Sequence, residues 1–177
     1  IRNTRSTWRI ASSIRYEEMP LAMDLLDKEY LGFRSLNIKS NAIASARTFS
    51  RDLVQNTDLL ILNKYEFECF KLKEEEFFLL GPKVLIITDG ENGGKCYTEN
   101  FSFDYLPTDF SGTKYTTGAG DWFHAGLISS LIQQDKNIIE ASENEKILKD
   151  ATNFASKVAG RKVLFHGSGN GPTLDML

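Results

Sequence analysis

The segment TTGAGDWF, residues 116–123, joins a run with almost no side chains to a single carboxylate. Glycine lets the main chain turn tightly and lets a ligand approach the backbone closely. The N–H groups of Gly118, Ala119 and Gly120 can then form an anion-binding concavity, and a helix that begins here adds its positive end. This arrangement suits a phosphate. The alternative is a tight turn followed by a helix cap, because short glycine patterns occur in many unrelated proteins.

Asp121 follows the glycine run and allows two interpretations. Aspartate at a helix N-terminus is commonly a cap. A carboxylate that faces a bound phosphate would repel it, so its chemical role there would instead be to accept the proton of an attacking hydroxyl. Phosphoryl transfer needs this combination: donors on the transferred phosphate, a base at the nucleophile and a cation that offsets charge.

Segments with the apolar pattern of strands alternate along the chain with segments that have the pattern of helices. These elements must position the TTGAGDWF segment. DLLILN and VLIIT are short, apolar and bounded by polar residues, as expected of strands buried on both faces. Strands are predicted at residues 7–14, 35–38, 58–63, 84–88 and 163–166, with a hairpin or edge segment at 96–105.

Helices are predicted between these strands. The first has Pro20 in its first turn and Gly32 as its closing residue. The predicted helices, in chain order, cover residues 20–30, 42–53, 73–80, 120–133 and 144–158.

Strands that alternate with helices predict a single α/β domain over residues 1–177, with a largely parallel sheet and helices on both faces. Ligands of such sheets bind at the carboxyl ends of the strands, where DGENGG (residues 89–94) and TTGAGD both lie.

The composition argues against nucleic-acid binding, membrane insertion and a histidine-based zinc site. The net charge of −3 gives no electrostatic footprint for nucleic acid, and no apolar run approaches the ~18 residues of a membrane helix. Cys69 and Cys96 form no CxxC pattern, which fits free thiols in a reducing cytosol. His124 and His166 are too few for a histidine-based zinc site. His124 is expected to pack or to face solvent and is assigned no chemistry. A cytoplasmic protein without nucleic-acid or membrane partners is expected.

Several motifs together resemble a known family. TTGAGDWFHAGL, residues 116–127, closely resembles the C-terminal signature of the PfkB family, the ribokinase-like carbohydrate kinases. LLILNKYEFE (residues 59–68) is similar to the family strand that ends in N-x-x-E, and VLIITDGENGG (residues 84–94) to the strand and glycine turn beside the nucleotide. TNFASKVAGRK (residues 152–162) is similar to the helix that flanks adenine, and its continuation resembles the ketohexokinase branch.

The resemblance implies a ribokinase-like fold and ATP-dependent phosphorylation of a small sugar, with Mg²⁺. Asp121 would be the general base that deprotonates the sugar hydroxyl, and the backbone of Gly118, Ala119 and Gly120 the anion hole. The implied nucleotide contacts are Thr88, Gly90, Gly93, Thr117, Asn153 and Ser156, and the residues implied near magnesium are Asn63 and Glu66.

Three features depart from the family pattern. Tyr115 stands where the family usually has an aspartate that helps to organise a monovalent-cation site, so cation activation is in doubt. NIKSN, residues 37–41, replaces a D-P-N segment. The family's N-terminal strands, glycine-glycine sugar motif and lid have no counterpart here. We therefore expect either a fragment or incomplete gene model of a longer kinase, whose full-length form could dimerise through that lid, or another element that covers the unpaired sheet edge.

Two functions remain open from the sequence. The first is a carbohydrate kinase, favoured by the intact Asp121 and the glycine run. The second is a truncated or degenerate family member that binds a nucleotide or a partner without catalysis, favoured by the missing sugar motif and by Tyr115. The sequence does not choose between fructose, ribose and other sugars.

Overall fold

A computed structural model of the protein describes residues 8–27, 31–108 and 115–176. Within those residues, six strands form one sheet in which spatial order follows chain order. The first four strands are parallel and the last two are antiparallel at one edge. The strands are β1 (Trp8–Ile14), β2 (Phe33–Ile38), β3 (Leu59–Asn63), β4 (Val84–Thr88), β5 (Gly94–Tyr97) and β6 (Ser102–Tyr105).

Eight α-helices are found in the same part of the chain, together with short 3-10 turns at Tyr16–Glu18, Gly90–Asn92 and Leu174–Met176. The helices are α1 (Met19–Leu25), α2 (Ser40–Ser45), α3 (Arg47–Gln55), α4 (Lys64–Phe70), α5 (Glu74–Leu80), α6 (Ala119–Gln133), α7 (Ile138–Glu143) and α8 (Glu145–Lys162).

Alternate residues of β3 build the two halves of the core. Leu59 and Ile61 pack with α6, α7 and α8, whereas Leu60 and Leu62 pack with α1 to α5. A parallel strand covered by helices on both faces needs apolar residues at successive positions, as LLIL provides. The predicted α/β class, with a mostly parallel sheet and helices on both faces, is confirmed.

Several predicted boundaries are wrong for identifiable local reasons. The helix predicted over 42–53 is two helices, because Ala46 leaves helical geometry with φ −144° and ψ 62°. The first helix ends at Leu25, so Gly32 does not close it. Residues 28–30 of that prediction, and Thr7 of the first strand, lie outside the described residues.

The strand predicted at residues 163–166 is also wrong. Helix α8 continues four residues beyond the predicted end at 158, to Lys162. The chain then turns, with Leu164 N–H donating to Arg161 O and Phe165 N–H to Lys162 O. Sequence analysis also missed two short helices, α4 and α7, each of which begins with an asparagine cap and a glutamate three residues later.

Close packing of α6 against α8 fixes the start of α6 relative to the sheet. Gly126 is buried at this crossing, and a Cβ atom there would lie 3.1 Å from both Ala155 Cα and Val158 Cβ. Glycine therefore lets the two helix backbones approach.

We expect Gly126→Val to lower the free energy of unfolding by roughly 1–3 kcal/mol, the usual cost of overpacking a core. The matched control is Ala125→Val, at an exposed position of the same helix, which should cost well under 1 kcal/mol through helix propensity alone. Urea denaturation monitored by circular dichroism measures both values. Equal stabilities of the two variants would contradict this account of the crossing.

Candidate active site

The glycine run turns the chain into α6 through a backbone conformation that favours glycine. Gly118 is the N-cap residue with φ 86°, in the left-handed region. A Cβ atom on Gly118 would lie 2.9 Å from Ser168 O, so the missing side chain also lets the C-terminal segment pack here. Asp121 is the third residue of the helix, and Gly118 rather than Asp121 occupies the cap position. The cap interpretation of Asp121 therefore does not hold.

The first turn of α6 leaves backbone donors and open space side by side. Ala119 N–H donates to Thr116 O and Trp122 N–H to Gly118 O, both at 3.0 Å. Among the described residues, no acceptor pairs with the N–H groups of Gly120 and Asp121. A Cβ atom on Gly120 would meet nothing within 4 Å. This is the geometry expected of an anion cradle at the positive end of a helix.

The Asp121 carboxylate is half-buried and faces the carboxyl end of β1. Ser12 Oγ donates to Asp121 Oδ1 at 2.7 Å, and Ser13 Oγ donates to the same oxygen. No donor among the described residues pairs with Oδ2. One carboxylate oxygen is therefore fixed by the protein while the other stays available.

His124 extends this contact into the core. Its Nδ1 lies 3.3 Å from Ser12 Oγ, and its Nε2 makes a short hydrogen bond with Ser35 Oγ. The ring is almost fully buried, with 1% exposed. Burial lowers the pKa of His124 from its ordinary 6.5 to about 4, although the charge of Asp121 opposes that shift.

Sequence analysis assigned His124 no chemistry and did not single out Ser12 or Ser13. The i, i+3 spacing of Asp121 and His124 places both side chains on one helix face, which is a usable signal. Nothing local connects them to the serines, which lie more than 100 residues earlier in the chain. The parallel sheet alone brings β1 beside the start of α6.

Asn63 and Glu66 form a reciprocal capping box at the start of α4. Asn63 N–H donates to Glu66 Oε2 at 2.9 Å, and Glu66 N–H donates to Asn63 Oδ1 at 2.8 Å. Burial raises the pKa of Glu66, while its bond from the Asn63 backbone, the Lys39 charge and the Asn37 side chain oppose that rise. The charge of Asp121 raises it further, which shows that the two carboxylates share one electrostatic environment.

The same N-x-x-E pattern recurs at α7, where it is only structural. Asn137 and Glu140 make an equivalent capping box, but Glu140 is partly exposed and the hydrogen bond from the Asn137 backbone lowers its pKa. Glu66, in contrast, is 3% exposed. The opposite pKa directions show that burial, and not the motif, distinguishes Glu66.

A cleft of about 570 Å³ opens at the carboxyl ends of β3 and β4. Three of the predicted site residues line it, namely Asn63, Thr88 and Gly90. Lys64 and Asp89 also line the cleft and form an exposed ion pair at 3.6 Å.

Glycines 90 and 93 differ in what they do for the turn after β4. Gly90 has φ 55° and open space around its Cβ position, so it can present backbone to a ligand. Gly93 has φ 83°, and a Cβ atom there would lie 2.1 Å from Tyr105 O. The structure thus gives Gly93 a packing role against β6, and its predicted nucleotide contact stays a prediction.

The remaining predicted nucleotide residues do not line the cleft. Thr117 and Asn153 are exposed. Ser156 is buried, accepts from Thr108 N–H at 3.0 Å and donates to Leu106 O at 3.0 Å. It therefore holds the segment after β6 against α8.

Tyr115 connects the start of the glycine run to the end of α8. Its N–H donates to Val163 O at 2.7 Å, and its ring packs edge-on against His166 at 5.0 Å. An aromatic ring thus occupies the position where a cation-binding carboxylate was considered.

The described residues contain no group of three or more His, Cys, Asp or Glu side chains arranged to hold a metal ion. In the same part of the chain, every helix is too short or too polar to cross a bilayer.

Fold and site together define an α/β protein that presents a helix N-terminus, a fixed carboxylate and a cleft at one edge of its sheet. The family model of the pfkB family carbohydrate kinases matches residues 24–174. The chain therefore belongs to this family.

Individual relatives agree with that assignment. Fructokinase-2 of Oryza sativa subsp. japonica is 36% identical over 76 residues, which are 43% of this chain and 21% of the relative. The chain thus aligns with about a fifth of the length of this curated relative.

Solved structures confirm the ribokinase-like fold. A nucleoside kinase from Methanocaldococcus jannaschii, an archaeal member of the ribokinase family, superposes with TM-score 0.74 and 20% identity, over 99% of this chain and 56% of that one. A fructokinase double mutant from Vibrio cholerae O395, bound to fructose, ADP and potassium ion, gives TM-score 0.71 and 17% identity, over 94% and 57%. The chain spans little more than half of either structure.

The buried His124 predicts a pH dependence of stability. Its pKa is about 4 in the folded protein and 6.5 ordinarily, so the unfolded chain takes up the proton first as pH falls. Stability from this group is complete above pH 6.5 and is lost between pH 6.5 and about 4, by about 3 kcal/mol in all.

Urea denaturation between pH 7 and 4 measures this effect. His124→Gln should flatten the dependence in that range, whereas the control His166→Gln, which changes an exposed ring, should keep it. If both variants keep the wild-type dependence, His124 does not carry it.

Proposed function

We propose that the chain is the nucleotide-binding and catalytic portion of an ATP-dependent carbohydrate kinase. Asp121 is the general base, and the backbone of Gly118, Ala119 and Gly120 is the anion hole. Ala119 N–H is bonded to Thr116 O, whereas Gly120 N–H and the neighbouring Asp121 N–H have no acceptor among the described residues. The observation that carries this proposal is the Asp121 carboxylate, with one oxygen held by Ser12, in the same helical turn as these two N–H groups of Gly120 and Asp121. Family membership supports the same reaction.

The geometry suits proton transfer from an acceptor hydroxyl. Ser12 and Ser13 engage Oδ1, which leaves Oδ2 to accept the proton of the sugar hydroxyl. The sugar oxygen attacks the γ-phosphorus of ATP as it loses this proton. The Gly120 and Asp121 N–H groups then stabilise the negative charge of the transferred phosphoryl group. ADP is the leaving group.

The nucleotide would lie along the carboxyl ends of β3 and β4. The cleft there brings Thr88, Gly90 and Asn63 together, and Gly90 presents backbone without a side chain. Nucleotide contacts are also proposed for Gly93, Thr117, Asn153 and Ser156. The support for these four residues is the family pattern alone.

Magnesium fits this site as an ion carried mainly by the nucleotide. Mg²⁺ keeps several waters and commonly binds through one or two carboxylates and substrate phosphates. Glu66 offers one buried carboxylate, with one oxygen already used by the capping box, and Asn63 is its neighbour. When bound, the ion would offset charge on the phosphates.

The acceptor is proposed to be a small sugar, with fructose the first candidate because a curated relative is named a fructokinase. A cytoplasmic location is inferred from the free thiols of Cys69 and Cys96, and a homodimer is proposed only for the full-length protein.

The second candidate function is nucleotide binding without catalysis. Tyr115, packed on His166, supports it, since a carboxylate is expected there in an active family member. Incubation of the 177-residue chain with ATP, Mg²⁺ and fructose or ribose separates the two functions. Binding of an ATP analogue without sugar phosphate formation favours the second candidate, and no binding overturns both.

Asp121→Asn should lower kcat for phosphoryl transfer by at least about 100-fold, because it removes the base while keeping its shape. The dissociation constant of an ATP analogue, measured by calorimetry, should change little. Near-normal turnover by this variant would refute the role of Asp121 as base. The matched control is Asp150→Asn, an exposed carboxylate on α8.

Gly120→Val should weaken ATP-analogue binding at least about 10-fold while leaving the fold intact. A Cβ atom at this position meets nothing within 4 Å, so the side chain enters the space assigned to the phosphate. Gly118→Ala is the contrasting variant, because its Cβ would meet Ser168 and its backbone is left-handed, so it should lose stability. Wild-type affinity in folded Gly120→Val would show that no phosphate lies in this cradle.

A further inference from the structure

Two serine hydroxyls reach the same oxygen of Asp121, an arrangement that a regular strand does not allow. Successive side chains of a β-strand point to opposite faces. Here the pairing of β1 with β2 changes register between Ala11 and Ile14, and Ser13 adopts a left-handed φ of 57°. That conformation is energetically costly for a non-glycine residue. The cost is borne where two donors meet one carboxylate oxygen.

The Ser12 hydroxyl has two partners but only one proton. It lies 2.7 Å from Asp121 Oδ1 and 3.3 Å from His124 Nδ1. A carboxylate can only accept, and the shorter distance is typical of a charge-assisted bond, so the Ser12 proton points to Asp121. Ser12 Oγ must then accept at its other contact, which places a hydrogen on His124 Nδ1.

The other ring nitrogen is consistent with this assignment. The lowered pKa of His124 makes its ring neutral at pH 7, so one nitrogen donates and the other accepts. With the hydrogen on Nδ1, Nε2 accepts from Ser35 Oγ, whose alternative acceptor Leu59 O is farther away at 3.3 Å. In the opposite tautomer Nδ1 is an acceptor. Either it has no donor, or the Ser12 proton turns towards it and leaves two oxygens facing each other at 2.7 Å.

We propose that His124 is a positioning residue for Asp121: it holds the Nδ1–H tautomer, donates to Ser12 and thereby commits the Ser12 hydroxyl to Asp121 Oδ1. The carboxylate is held in one rotamer, with Oδ2 left for the acceptor hydroxyl. The catalytic part of this inference rests on the proposed function, whereas the tautomer does not. Ser12 and Ser13 precede residues 24–174, so the family match does not include the two serines that hold Asp121.

The tautomer can be measured directly by NMR. The chain has only two histidines, and His166→Gln assigns their resonances. In long-range ¹H–¹⁵N correlation spectra at pH 7, His124 should show a pyrrole-like Nδ1 and a pyridine-like Nε2. A pyridine-like Nδ1, or shifts averaged between tautomers, would overturn the proposal.

Two serine variants make a matched test, because each removes one hydroxyl from one side of the ring. Ser12→Ala removes the acceptor of Nδ1–H, so His124 should switch to the Nε2–H tautomer, in which it donates to Ser35 and Ser35 donates to Leu59 O. Ser35→Ala leaves the Ser12 acceptor and should keep the Nδ1–H tautomer. Identical spectra for His124 in the two variants would contradict the network.

Kinetics test the positioning role separately. Ser12→Ala should lower kcat by about 10- to 100-fold with little change in KM for ATP, because a misplaced base slows transfer without weakening nucleotide binding. Ser12→Thr keeps the hydroxyl and should restore most of the loss. Active wild type with undiminished kcat in Ser12→Ala overturns the positioning role. An inactive wild type with the predicted tautomer switch counts against the proposed function and supports the network.

Discussion

Burial of β3 and β4 on both faces is the constraint on which the site depends. Both strands are apolar until their last residues, Asn63 and Thr88, which pair with each other across the sheet. Polar side chains from neighbouring strands consequently gather at one edge. The helices that cover the sheet begin or end near the strand ends, and the first turn of α6 places Asp121 against Ser12 at the end of β1. The location of the site thus follows from packing before any residue of the site is considered.

The N-x-x-E motif shows how little a short pattern says about function by itself. Two copies in this chain form the same capping box, with the same backbone partners. Glu140 is partly exposed and its hydrogen bond from the Asn137 backbone lowers its pKa, whereas Glu66 is desolvated and lies in the field of Asp121 and Lys39. A capping role and a role near magnesium are therefore compatible at Asn63 and Glu66, since the cap is what orients a buried carboxylate at the end of β3.

The sequence predicts the bounds of the secondary-structure elements that have a clear apolar pattern or a glycine run at one end. The strands predicted at VLIIT and DLLILN match β4 and β3 to within one residue, and the predicted start of α6 agrees equally well. The failures come from tertiary context. VLFH has the composition of a strand, but residues 163–166 continue the turn that follows α8 and bond to Tyr115. The short helices α4 and α7 were missed because one or two turns give too little periodicity to read.

For the candidate site, the sequence identifies the groups that are local to the motif and omits those that are not. Asp121 and the glycine backbone lie in one continuous segment, so their juxtaposition needs no knowledge of the fold. The groups that hold Asp121 come from β1. Only the sheet register brings Ser12 of β1 and Ser35 of β2 to opposite sides of His124. A buried, neutral histidine between two hydroxyls is expensive unless every proton has a partner. At neutral pH, the only proton assignment that gives every one of these groups a partner directs the Ser12 hydroxyl to Asp121 Oδ1. The hydrogen bonds that let His124 be buried between Ser12 and Ser35 therefore also determine that Oδ2 is the free carboxylate oxygen.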